Sequence, residues 1–121
     1  MQLFALRGAT TVEVNEAPAI LAATEQLMRE VMARNELVPE KVVSCIFTLT
    51  GDLDAEFPAV AARGLGFGQV PLLCAQEIPV PGALPMVIRV LIHYYAPEGH
   101  AARHVYLGAA AGLRADLESA Q

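Results

Sequence analysis

Val42-Val43-Ser44-Cys45-Ile46-Phe47-Thr48-Leu49-Thr50 is rich in β-branched and apolar types and carries no charge. A run so nearly uninterrupted in apolarity suits a strand covered on both faces, so it is read as a central strand. Working outward, Asn15 caps a helix with Pro18 in its first turn. Ile20, Leu21, Thr24, Leu27, Met28, Val31 and Met32 follow at helical spacing and end near Asn35. Before that helix, Leu3 to Arg7 alternates as a first strand, broken by Gly8. Beyond the central strand, Pro58 starts a short helix through Arg63, which the glycines at 64, 66 and 68 end. A strand around Val70 to Cys74 leads into Ala75 to Leu84, a loop with three prolines and Gly82. Val87 to Tyr95 and His104 to Leu107 are further strands, and Gly108 to Arg114 is compact enough for one helical turn. Strands flanking one long helix and shorter ones predict an α/β or α+β fold with a mixed β-sheet.

The chain has 121 residues, 55% of them hydrophobic and 17% charged, which suits one domain over 1–121 with one core. That apolar share exceeds the usual ~45–50% of globular domains. The simplest cover for the surplus is another copy, so a homo-oligomer is expected. The charge sum, 8 − 13 = −5, and the lack of a basic run disfavour nucleic-acid or polybasic membrane partners. The longest stretch without Asp, Glu, Lys or Arg, Gly64 to Gln76, is too short to cross a bilayer. The opening Met1-Gln2-Leu3-Phe4-Ala5-Leu6-Arg7 lacks the pattern of a secretory signal, so the expected location is cytoplasmic. Cys45 and Cys74 form no CxxC pair and are read as reduced thiols.

Seven of the eight basic residues are Arg and one is Lys41. A guanidinium donates two parallel hydrogen bonds and stays charged when desolvated, which makes it the better carboxylate clamp. Arg89 is the most informative, because Val87-Ile88-Arg89-Val90-Leu91-Ile92 sets a charge inside a strand apolar on both faces. An unpaired charge there is costly, so Arg89 requires an acidic partner or an anionic ligand. Arg7 lies at a strand end beside Gly8, and Glu77, in the proline-rich loop, is the nearest counter-charge by sequence. Arg63 can reach outward from its helix, Tyr106 offers a phenol, and Cys74 closes a strand just before Glu77. Neither cysteine has a nearby histidine to activate it.

Other chemistries lack parts. Gly64-Leu65-Gly66-Phe67-Gly68-Gln69 misses the last glycine of a dinucleotide fingerprint, and His93, His100 and His104 show no metal-ligand spacing. Ser44 and Ser119 lie in no GxSxG context. What remains is several arginines, a carboxylate, a phenol and a thiol, a set suited to gripping a small polyanion and stabilising charge without covalent catalysis.

Leu6-Arg7-Gly8-Ala9-Thr10-Thr11-Val12-Glu13, Asp52-Leu53-Asp54-Ala55-Glu56-Phe57-Pro58-Ala59, Pro71-Leu72-Leu73-Cys74-Ala75-Gln76-Glu77, Ile88-Arg89-Val90 and Arg103-His104-Val105-Tyr106-Leu107 stand in an order that resembles one family. It is the monofunctional, trimeric chorismate mutases of the pseudo-α/β-barrel class. The resemblance spans nearly the whole chain. It implies conversion of chorismate to prephenate, a cofactor-free and metal-free step toward phenylalanine and tyrosine, in clefts between subunits of a homotrimer. It further implies that Arg7 and Tyr106 bind a substrate carboxylate, that Arg89 reaches the ether oxygen of the breaking bond, and that Glu77 meets the ring hydroxyl. Cys74 would lie beside the ring and Phe57 would line the pocket. Arg63 and Arg114 would serve at the entrance, with Leu113 near the closing tail. Some relatives carry a lysine where this chain has Val60. The rival readings are a non-catalytic trimeric binder of a small carboxylate metabolite and an imine or enamine deaminase of similar architecture.

Overall fold

The computed structural model describes residues 1–113. Alternation in the apolar runs sorts their side chains between two environments. On β2 (Val42–Leu49), Cys45, Phe47 and Leu49 are buried, while Ser44, Ile46 and Thr48 between them are only partly covered. On β4 (Val87–Ala96), Ile88, Val90, Ile92 and Tyr94 take the buried side, and Arg89, Leu91 and His93 are partly covered on the other. The sheet therefore has a packed face and an open face.

Five strands make that sheet: β1 (Gln2–Thr11), β2, β3 (Leu72–Gln76), β4 and β5 (Val105–Tyr106). Their order is β3-β2-β4-β1-β5, with β4 antiparallel to both β1 and β2, and with β3 and β5 added in parallel at the edges. The sheet is mixed and the fold is α+β, as the sequence predicts. The run at Val42 is interior, although β4 holds the centre.

Helix α1 (Ala17–Asn35) closes the packed face with Ile20, Leu27, Met28 and Val31, none of which retains exposure. Burying each such side chain is worth about 1.5–3 kcal/mol relative to leaving it in water. Thr24 lies in the same stripe, and its hydroxyl donates to the Ile20 carbonyl at 2.7 Å. On the opposite side Glu25–Arg29 and Glu30–Arg34 pair one turn apart in solvent, which accounts for two of the seven arginines as surface groups. A 3-10 turn (Pro39–Lys41), the short helix α2 (Ala59–Ala62), a π turn (Arg63–Phe67) and α3 (Ala110–Leu113) complete the described chain.

Three local expectations change. Gly8 does not end β1. It sits mid-strand, paired with Val90 on one side and Val105 on the other. A Cβ there would lie 3.2 Å from Val90 Cγ1, 3.3 Å from Leu27 Cδ1 and 3.3 Å from the Val105 carbonyl, so the glycine permits close approach rather than a turn. Asn15 does not cap α1, since Glu16 holds the N-cap in an extended conformation with no side-chain hydrogen bond. The Asn15 amide instead donates to Asp54 and accepts from the backbone of Asp54 and Ala55, tying down the loop after β2. The third strand starts at Leu72 rather than Val70 and runs to Gln76, so Glu77 follows directly from a strand end.

No helix among the described residues is long and apolar enough to cross a membrane. Cys45 is buried, and burial pushes its thiol up to about 12, which keeps it protonated at neutral pH.

Candidate active site

Register decides which side chains meet on the open face. Ala9 of β1 and Thr48 of β2 both lie directly opposite Arg89 of β4, and Arg7 and Ile46 both lie opposite Leu91. Opposed residues point to the same side of a sheet, so Arg7, Arg89 and Thr48 share the open face. At the end of β3 the Glu77 N–H donates to the Leu49 carbonyl at 2.8 Å, which holds this residue against β2.

The result is an ion pair on the sheet surface. Arg89 Nε donates to Glu77 Oε2 at 2.8 Å, and the Thr48 hydroxyl donates to the same oxygen at 2.7 Å. The side chains of Arg89 and Glu77 keep 29% and 18% of their exposure, so the pair is partly desolvated and still open to a ligand. Because only Nε is engaged with Glu77, the two terminal nitrogens of Arg89 remain available for another acceptor. Where the proline-rich loop returns to β4, Met86 adopts a left-handed conformation and is fixed by two partners: the Val12 N–H donates to its carbonyl, and the Asp52 carboxylate accepts its N–H.

Arg7, Thr48, Glu77, Arg89 and Tyr106 line one cavity of about 660 Å³, together with Ile46, Gln76, Ile78 and Leu91. That is within the ordinary range for small-molecule sites, and its mix of apolar walls with a few charged groups is the usual one. Two guanidiniums and one carboxylate leave it with net positive charge, so an anion is the matching ligand. Among the described residues no carboxylate pairs with Arg7. Its backbone N–H donates to His104 Nδ1 at 3.0 Å, and β5 sets Tyr106 beside Ala9. Buried Ala9, Val87 and Ala110 pack at this end, where α3 turns in after Gly108. A Cβ on Gly108 would collide with Thr11 Oγ1, which instead accepts the Ala109 N–H at 3.1 Å.

Four of the sequence-predicted residues thus converge: Arg7, Glu77, Arg89 and Tyr106. Two others sit elsewhere on the chain. Phe57, 65% exposed, and Cys74 line a second cavity of about 360 Å³ with Leu49, Leu53 and Glu56. Cys74 lies opposite Phe47, on the packed side of the sheet, and Gln76 borders both cavities. Arg63 is exposed at the end of α2 and lines neither cavity. Leu113 is the last residue of α3, and Arg114 lies outside the described residues. Sequence reading missed Thr48. Its signal was the alternation of β2, which puts it two residues from Ile46 on the same face.

A sheet face that holds a guanidinium–carboxylate pair in a positively charged cavity, with a second cavity nearby, defines an α+β protein whose open face suits a small anion. The family model for chorismate mutase type I matches residues 3–117. The chorismate mutase AroH of Thermus thermophilus is 49% identical over 119 residues, covering 96% of this chain and 97% of that protein. The chorismate mutase AroH of Bacillus subtilis (strain 168) is 42% identical over 120 residues, covering 97% of this chain and 94% of its own length. A solved chorismate mutase from Clostridium thermocellum superimposes with a TM-score of 0.86 at 44% identity, covering 90% of this chain and 98% of that one. The chain belongs to the type I chorismate mutases.

Proposed function

We propose that this chain catalyses the rearrangement of chorismate to prephenate at the Arg89–Glu77 cavity, as a cytoplasmic enzyme of aromatic amino acid biosynthesis. The observation that carries the reading is the convergence of Arg7, Glu77, Arg89 and Tyr106 on one cavity from four separate places in the fold: β1, the β3 end, β4 and β5. In the concerted [3,3] shift the carbon–oxygen bond breaks as the new carbon–carbon bond forms, and the ether oxygen gains negative charge on the way. A fixed cation at that oxygen favours the transition state over the ground state. Arg89 is that cation, held before substrate arrives by Glu77, which the Thr48 hydroxyl holds in turn. Glu77 also accepts from the ring hydroxyl, while Arg7 and Tyr106 bind a carboxylate and restrain the enolpyruvyl arm over the ring. No proton transfer by a general base is needed.

The two cavities are two halves of one site contributed by neighbouring copies in a homotrimer. Phe57 and Cys74 of one chain face the ring bound at the Arg89 cavity of the next, and Arg63 and Arg114 serve the entrance, with Leu113 near the tail. This reading gives the open face an occupant: Leu3, Leu73 and Tyr95 project from it at 52%, 60% and 46% exposure, and a trimeric pseudo-α/β-barrel covers them.

The test is loss of chorismate absorbance, with acid conversion of the product to phenylpyruvate. Turnover supports the reading, and tight binding without turnover leaves a non-catalytic carboxylate binder instead. In the same assay Glu77→Gln keeps a hydrogen-bonding oxygen and retains more activity than Glu77→Ala, which loses both the hydroxyl contact and the partner of Arg89. The reverse order would remove Glu77 from the mechanism.

A further inference from the structure

Tyr106 rides on a strand of two residues, and so short a ladder leaves its seating to other bonds. One set comes from Asn35, the last residue of α1, which is 4% exposed. Its Oδ1 accepts the Arg103 N–H at 2.7 Å, and its Nδ2 donates to the Arg103 carbonyl at 3.0 Å and to the Val31 carbonyl at 2.9 Å. Binding both backbone groups of one residue is what an adjacent strand does, so this carboxamide acts as a strand just ahead of β5. His104 comes next, its Nδ1 accepting the Arg7 N–H at 3.0 Å. Val105 and Tyr106 then pair with Gly8 and Ala9, and the Leu107 N–H donates to the Ala9 carbonyl at 2.9 Å. An unbroken line of hydrogen bonds and chain joins Asn35 to the backbone of Arg7 and to Tyr106.

We propose that Asn35 is a positioning residue for the substrate carboxylate, holding β5 in the register that sets Tyr106 beside Arg7. The inference rests on the reading of Arg7 and Tyr106 as carboxylate-binding groups. Asn35 lies outside the Arg89 cavity and acts through the strand alone. Arg103 is exposed and its two bonds to the carboxamide are part-buried rather than buried, so their loss is expected to appear as freedom of the strand. Arg89 and Glu77 stand on β4 and at the end of β3, and β5 pairs with neither of those strands, so the Arg89–Glu77 pair keeps its own bonds and the stabilisation of the breaking bond is expected to stay.

The experiment is steady-state chorismate turnover by the full chain. Asn35→Ala is expected to raise KM about tenfold, the scale of a small misplacement of a binding group, with kcat within about twofold of wild type. Asn35→Asp keeps an acceptor for the Arg103 N–H and replaces the alanine variant in this comparison if that one fails to fold. Thr24→Val, which removes a buried bond internal to α1, is the control for destabilisation and leaves KM unchanged. In a Tyr106→Phe background, Asn35→Ala raises KM by less than it does alone, because the group it positions is already impaired. An unchanged KM in an active enzyme, or KM factors that multiply in the double variant, overturns the role. A wild-type chain that leaves chorismate unconsumed overturns the activity itself and this inference with it.

Discussion

Arg89→Ala is expected to lower kcat by about 10²–10³-fold, or about 2.7–4 kcal/mol, the cost of removing one preorganised donor from a developing oxyanion. The chain stays folded. Arg89 is partly exposed on the open face, and without it Glu77 keeps the Thr48 hydroxyl and some solvent, so no charge is stranded in the core. Circular dichroism and thermal melting alongside stopped chorismate assays separate the two effects. Arg89→Lys keeps the charge but loses the fork that bonds Glu77 through one nitrogen and an ether oxygen through another, so it restores only part of the rate. Near-wild-type turnover by Arg89→Ala would remove the electrostatic mechanism, whatever else the cavity binds.

Leu73→Asp is expected to abolish both assembly and turnover. Leu73 lies opposite Ile46 on the open face and is 60% exposed, so a carboxylate there is harmless to an isolated chain. Between the copies of the proposed trimer it would be a desolvated charge without a partner, which an apolar interface tolerates poorly. Sedimentation velocity should show a trimer for the wild-type chain and a monomer for the variant. Activity should fall at least as far as in Arg89→Ala, because under the proposed shared site a separated chain keeps the arginines of its own cavity and loses the Phe57 and Cys74 wall. A monomer with full activity would contradict the shared site.

Much of this was legible in the sequence where the physics is local or where a residue violates its surroundings. Period 3.6 over Ile20–Val31 needs no knowledge of the rest of the chain, and α1 is where that pattern puts it. Arg89 declared itself by being a charge among Val, Ile and Leu, and a counter-charge does sit beside it. What failed was long-range. A glycine after five strand residues reads as punctuation, yet Gly8 is there for Leu27 and for a carbonyl almost a hundred positions later. Asn15 satisfies every local rule for a cap and is drawn away by the loop at Asp54. Thr48 looked like one more β-former because its partnership with Glu77 depends on the register of three strands. The roles of Phe57 and Cys74 came from family likeness, since their cavity on one chain does not meet the arginines.

Strand order also grades firmness across the pocket. β4 is laddered along both flanks and buries its whole inner side, whereas β5 clings to one neighbour by two residues. Amide exchange should therefore be slowest around Arg89 and fastest around Tyr106. Such a gradient would let the rim breathe to admit and discharge ligand while the charge proposed to meet the breaking bond stays anchored in the doubly paired strand.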